Sequence, residues 1–190
     1  MRLTLTLLLL LTLGLSPCAF SQDQPSLKPY TARYNVKFRG LSGGDIVFTL
    51  KRQGSNQFVF TSRLLPNFLG GLFTSDQAAD TSHFLFEDGI LKPLQFISED
   101  GSKNTEKDIR YQFDWSNTQV KGHAKDQDFT MAVPRGVQDR LSIQLSASLA
   151  LQANKEPGTL IMLEKDELQE YSITRQGSER ITSEAGVFDT

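Results

Sequence analysis

The stretch YTARYNVKFRGLSGGDIVFTL, residues 30–50, decides how the chain is read. Tyr30, Ala32, Tyr34, Val36 and Phe38 alternate with Thr31, Arg33, Asn35, Lys37 and Arg39, the period of two that lets a strand bury one face. Ile46, Phe48 and Leu50 resume the alternation beyond the glycines, so the segment reads as a hairpin. Gly40 to Gly44 also satisfies G-x-S-x-G, the pattern of a serine hydrolase elbow. That elbow needs a strand, a sharp turn and then a helix, which sets the serine beside oxyanion donors. Here a second strand follows, and His83 and His123 are the only histidines available as a base. Gly43 and Gly44 are expected to make the turn, since glycine takes the positive φ a hairpin needs, and Ser42 is incidental.

The same rhythm continues outward. Phe58, Phe60, Ser62 and Leu64 form a third strand after the turn at Gly54-Ser55-Asn56, which makes an antiparallel meander. Further strands are expected over 77–86, 92–98, 109–115, 120–124 and 129–133, with Pro93 suiting an edge position or a strand start. Only VQDRLSIQLSASLALQA, residues 137–153, argues for a helix: Leu141, Leu145 and Leu149 recur at i+4, and Asp139 suits the N-terminal dipole. Pro157-Gly158 stop it, and strand-like patterning returns at 160–163, 168–174 and 179–182. The fold class is therefore mainly β: a curved antiparallel sheet or open β-barrel, with one helix over about 138–153 packed in or against it. A two-sheet sandwich with a flanking helix is the alternative.

The first 21 residues read as a signal peptide. Arg2 is a positive start, residues 3–15 are an apolar run too short to span a bilayer, and Ala19-Phe20-Ser21 offers a cleavage site before Gln22. Leu15-Ser16-Pro17-Cys18 also approximates a lipobox, so an acylated anchor at Cys18 is the alternative to a free periplasmic protein, although Pro17 stands where a small residue is wanted. Cys18 is the only cysteine, and cleavage removes it, which leaves no thiol for disulfides, metal or catalysis. Residues 22–29 form a flexible leader, and 30–190 a single β-rich domain. Cleavage also takes Arg2, leaving 19 basic against 22 acidic residues without blocks of either sign. Nucleic acid and anionic membrane surfaces are not expected as electrostatic partners, and no transmembrane span follows the leader.

No catalytic constellation emerges, so no enzyme activity, cofactor or metal is expected. Asp126-Gln127-Asp128 lacks the ligand spacing of a calcium loop, and the pairs Asp80/Glu87 and Glu99/Asp100 read as loop charges. The alternating aromatics, Phe60 and Trp115 among them, form either a packed sheet face or the lining of an apolar cavity. The loop LLPNFLGGLF, residues 64–73, places Phe68, Leu69, Leu72 and Phe73 around glycines, as a lid, a contact patch or a cap on the core. Phe68, Leu69, Leu72, Phe73, Phe60 and Trp115 are the candidate ligand-binding residues, for a lipid or other apolar ligand. The alternative partner is an envelope protein, held by a sheet edge or by the loop 66–73.

Several stretches in order carry a family resemblance: residues 30–50, DGILKPLQF, YQFDW, VQDRLSIQLS and GSERITSEAGVFDT. Together they resemble the bacterial exported family called domain of unknown function 3108, over about residues 30–190. Gln138-Asp139 with Leu141-Ser142, and Gly177-Ser178-Glu179 running to Gly186, are the most specific parts. The resemblance implies export and a β-rich fold, and no reaction. It also implies further strands beyond Thr190, so the chain is expected to lack its last strands and to leave a sheet edge uncovered.

Overall fold

The computed structural model describes residues 26–68, 70–72, 75–183 and 185–189, so the leader and its cleavage point lie outside the described residues. Eight strands follow one another and pair in chain order: β1 Tyr30–Phe38, β2 Leu41–Arg52, β3 Gln57–Pro66, β4 Ala79–Glu87, β5 Ile90–Glu99, β6 Ile109–Asp114, β7 Gln119–Ala124 and β8 Gln127–Ala132. Every pairing is antiparallel, and the sheet stays open, with β1 and β8 as its outer strands. Helix α1, Ser142–Gln152, comes next, then the hairpins β9 Gly158–Glu164 with β10 Glu167–Ile173 and β11 Arg180–Ser183 with β12 Gly186–Asp189. The expected mainly β fold with one helix is what forms, as an open sheet and not a closed barrel.

The first hairpin turns four residues earlier than expected. Arg39 and Gly40 both have positive φ and join Phe38 to Leu41, the two-residue loop of a type I′ turn. Gly43 and Gly44 lie inside β2 instead, at a bulge where Val36 pairs with Gly44 and Lys37 with Ser42. Close approach explains the glycine there: a Cβ on Gly44 would stand 2.3 Å from the Leu65 carbonyl oxygen of β3. Pro93 lies in β5 at the register shift where Phe84 pairs with Pro93 and His83 with Gln95, and it keeps the expected edge locally, since the ladder to β6 covers only Gln95 to Ser98. A bulge interrupts the ladder there, so the missing N–H costs no strand bond.

The registers align side chains in rows across the sheet. Tyr30, Leu50, Phe60, Ser82, Phe96, Tyr111, Gly122 and Phe129 are successive partners and stand on one face. Phe58 and Phe84 stack at 5.8 Å in the neighbouring row. This face is the core, closed by Leu141, immediately before α1, and by Leu145 and Leu149 within it. Beyond the helix, the β9–β10 hairpin covers the later strands. Its Leu163 is in the core, the turn residue Lys165 bonds through its backbone to the Tyr111 phenol, and Lys125 in the β7–β8 turn pairs with Asp166. On the other flank, β1 and the part of β2 that it pairs with keep some of the aromatic face uncovered by the described residues, among which Leu27, 6% exposed, reaches in from before β1.

Candidate functional site

The uncovered flank is a groove of about 840 Å³ between β1–β3 and α1, within the range of about 300–1,000 Å³ usual for small-molecule sites. Its sheet wall is apolar: Tyr30, Tyr34, Phe48, Leu50 and Phe60 line it, with Ala32 keeping the floor low. Aromatic rings meet along it, Tyr34 against Phe48 at 6.0 Å and Phe48 against Phe60 at 5.8 Å. Tyr34 is 58% exposed, although its row belongs to the core face. Burial lifts the Tyr30 phenol above its ordinary value, with Tyr34 adding to the effect, so Tyr30 stays neutral at physiological pH. The helix wall is polar: Gln144, Ser148 and Gln152 follow at i+4 on the flank beside the Leu141–Leu145–Leu149 stripe. Lys28, at the rim, is the single charged residue of the lining among the described residues.

The candidate residues scatter around this site. Phe60, 2% exposed, lines the groove. Trp115 does not; it stacks on Phe113 at 5.9 Å and donates its indole N–H to the Pro93 carbonyl at 2.6 Å, a structural post under β5. The described residues of the apolar loop do not line the groove either. Its Asn67 donates backbone N–H and side-chain amide to the Gly43 and Ser42 carbonyls, and its Asn67 Oδ1 accepts the Gly70 N–H, which pins the loop onto the bulge of β2. Phe68 projects from it, 85% exposed. Leu72 ends the 3-10 turn Gly70–Leu72, while Leu69 and Phe73 lie outside the described residues. The groove's helix wall and Lys28 escaped sequence reasoning, although a polar stripe at i+4 beside a leucine stripe was there to be read.

A second polar assembly sits where α1 begins. Asp139 is fully buried, and its Oδ1 accepts the N–H groups of Leu141 and Ser142 at 2.9 and 2.8 Å. Ser142 Oγ accepts the Asp139 N–H at 2.9 Å, which completes a reciprocal capping box, and the Asp139 carbonyl takes the first helical bond from Ile143. Asp139 is thus the functional N-cap of α1, so the helix begins close to where its leucines predict. Ser82 of β4 donates its hydroxyl to Asp139 Oδ2 at 2.6 Å and ties the cap to the middle of the sheet. Desolvation raises the Asp139 carboxyl above its usual range, against the pull of these hydrogen bonds. One residue earlier, the Gln138 backbone bonds Ile161 and Leu163 of β9, and its amide donates to the Gly136 and Leu91 carbonyls.

On the opposite face of the sheet, His123 Nδ1 meets Asp128 Oδ1 at 2.7 Å, so Asp128 belongs to a cross-strand pair. Ser42 has a strand ahead of it and lies within β2, where its Oγ accepts the Asn35 amide. Among the described residues, no three His, Cys, Asp or Glu side chains gather as a metal set.

A family model described as a protein of unknown function, DUF3108, matches residues 33–190. The chain belongs to this family. Neither the curated proteins nor the solved structures contain a match to it. Within the DUF3108 chain, Gln138-Asp139 with Leu141-Ser142, the segment most specific to the resemblance, has a physical meaning. Gln138 adds backbone to β9, Asp139 and Ser142 cap the helix, and Leu141 enters the core. These residues assemble the fold and stand apart from the groove lining.

Proposed function

We propose that this DUF3108 protein is a non-catalytic, exported protein of the periplasm that binds an apolar ligand, such as a lipid, in the groove between β1–β3 and α1. The observation that carries this reading is the aromatic wall. A sheet face built to be buried is left open over a groove of about 840 Å³, with Tyr34 standing 58% exposed. Exposed apolar surface in a concavity is stabilised by a ligand that removes it from water, at about 25 cal/mol per Å². Among the described residues the groove contains hydrogen-bonding amides and hydroxyls and one ammonium, with no paired acid and base across it, which supports binding over chemistry. Export is supported by Arg2, the apolar run at 3–15 and Ala19-Phe20-Ser21.

The test is displacement of a neutral solvatochromic probe, N-phenylnaphthylamine, from delipidated protein. Ser148→Trp fills the groove from the exposed flank of the helix and leaves the buried leucines in place. Probe binding by the wild type and its loss in Ser148→Trp, at an unchanged melting temperature, is the expected result. Equal binding by both proteins contradicts the groove.

A second reading is supported by one specific observation. Phe68 is 85% exposed and Leu41, the first residue of β2, 67% exposed, and Asn67 clips the loop that carries Phe68 to the Ser42 carbonyl beside Leu41. An apolar tip of this kind suits a protein partner in the envelope. Pull-down with Phe68→Asp tests it, and an unchanged set of partners removes the tip from consideration.

A further inference from the structure

Resting on the groove reading above, we propose that the groove's ligand is a single-chain fatty carboxylate, with its carboxylate held at Lys28 and its chain laid along the aromatic wall. Charge is the first reason. Among the described residues Lys28 is the one charged member of the lining, so what they present to the groove is a cation at its rim and no carboxylate. Acids near the groove are engaged elsewhere. Asp80, in the row of Ala32 and Phe48 on the same sheet face, is paired with Arg140 at 3.2 Å, and Asp45 bonds Arg33 and Asn35. Lys28 itself has no ion pair among the described residues. A cationic amphiphile would meet like charge there, whereas a carboxylate gains a partner.

Length is the second reason. From Tyr30 to Tyr34 the strand rises about 14 Å, at about 3.4 Å per residue. The facing stripe from Gln144 to Gln152 spans about 12 Å, at about 1.5 Å per residue. An extended hydrocarbon advances about 1.3 Å per carbon, given a C–C bond of about 1.5 Å, so either wall accommodates about ten methylenes. Lys28 precedes the strand, at the Tyr30 end of this track, where the head of such a chain belongs. The third reason is the asymmetry of the walls. One side of the chain meets rings, and the other meets the amides of Gln144 and Gln152 and the hydroxyl of Ser148, whose donors also serve a carboxylate seated short of the rim.

The experiment titrates the probe-loaded full chain with dodecanoate, dodecanol and dodecylammonium at low salt, for the wild type, Lys28→Gln and Lys28→Glu. Lys28 is exposed, so all three proteins are expected to fold, and their melting curves serve as the control. Dodecanoate is expected to displace the probe about fivefold better than dodecanol, with dodecylammonium the weakest. Lys28→Gln should abolish the difference, Lys28→Glu should reverse the order of the charged ligands, and added salt should shrink it. Equal displacement by all three ligands, unaffected by Lys28→Gln, overturns the carboxylate assignment while the groove reading stands. Lys28-dependent binding to phosphatidylglycerol vesicles without displacement by dodecanoate overturns it in favour of a bilayer headgroup. Failure of the probe itself to bind overturns both readings.

Discussion

Removing the carboxylate of Asp139 is the perturbation whose cost follows most directly from the contacts. In Asp139→Ala the Leu141 and Ser142 N–H groups lose their shared acceptor, and the buried Ser82 hydroxyl loses its own. Loss of an N-cap costs about 1 kcal/mol, and a buried hydroxyl left without its partner costs about 1–3 kcal/mol. Against this, the raised carboxyl shows that burying the charge is itself unfavourable, so its removal returns part of the loss. The balance is a destabilisation of about 2 kcal/mol, or about 6 °C in melting temperature for a chain of this size. Asp139→Asn isolates the charge. Its amide oxygen still accepts the two N–H groups, while Ser82 can accept from the new amide, so it is expected to cost under about 1 kcal/mol. The pH dependence has a definite sign. A carboxyl raised in the folded state binds its proton more tightly there than in the unfolded chain, where it titrates near 3.8. Its contribution to stability is therefore fully present below that value and declines as pH rises through the raised folded value. Urea unfolding of wild type and Asp139→Asn across the acid-to-neutral range should show the wild type losing ground to the variant as pH rises. An Asp139→Ala protein within about 0.5 kcal/mol of wild type refutes the assignment of the cap.

Three further outcomes follow from the same contacts. Gly44→Ala drives a Cβ to 2.3 Å from the Leu65 carbonyl at a φ of +132°, so it should cost more than about 2 kcal/mol in chemical denaturation; a neutral result contradicts the β2–β3 register. Trp115→Phe keeps the stack on Phe113 and leaves the Pro93 carbonyl without its donor, an expected loss of about 1 kcal/mol measured by thermal melting. Phe68→Ser removes a ring that is 85% exposed and should leave the melting temperature unchanged within about 1 °C; a large drop shows that the ring packs against the fold.

How far these features were legible in the sequence depends on whether they are local. Strict alternation from Tyr30 to Phe38, and again around Phe58 and Tyr111, specifies strands and the face each buries, because a slip of one residue would turn the apolar set to solvent. The leucine stripe of α1 is equally local. Turn position is less so: a bulge at Gly43 and a turn at Arg39-Gly40 compete for the same glycine-rich run, and contact with β3 decides between them. Pro93 reads as an edge residue, and it is one locally, although the register shift beside it was not legible. Asp139 was legible as a helix start but not as a buried one, since its partner Ser82 lies 57 residues away. The groove was the least legible feature. Phe60 and its neighbours announce an apolar face, but which part of it stays open depends on where one helix and one hairpin come to rest on eight strands. Trp115 and the loop around Phe68 carry apolar side chains as conspicuous as those of the groove, and nothing in their local pattern separates a structural post or a pinned loop from a ligand wall.

Native mass spectrometry of the full chain, purified without detergent, tests the central claim most directly. The account predicts a population of wild-type protein carrying one non-covalent adduct with the mass of a single-chain amphiphile, released on collisional activation, and its absence from folded Ser148→Trp. Wild-type and Ser148→Trp proteins that carry the same adduct, or that are both bare after incubation with dodecanoate while the variant melts as the wild type does, would contradict it.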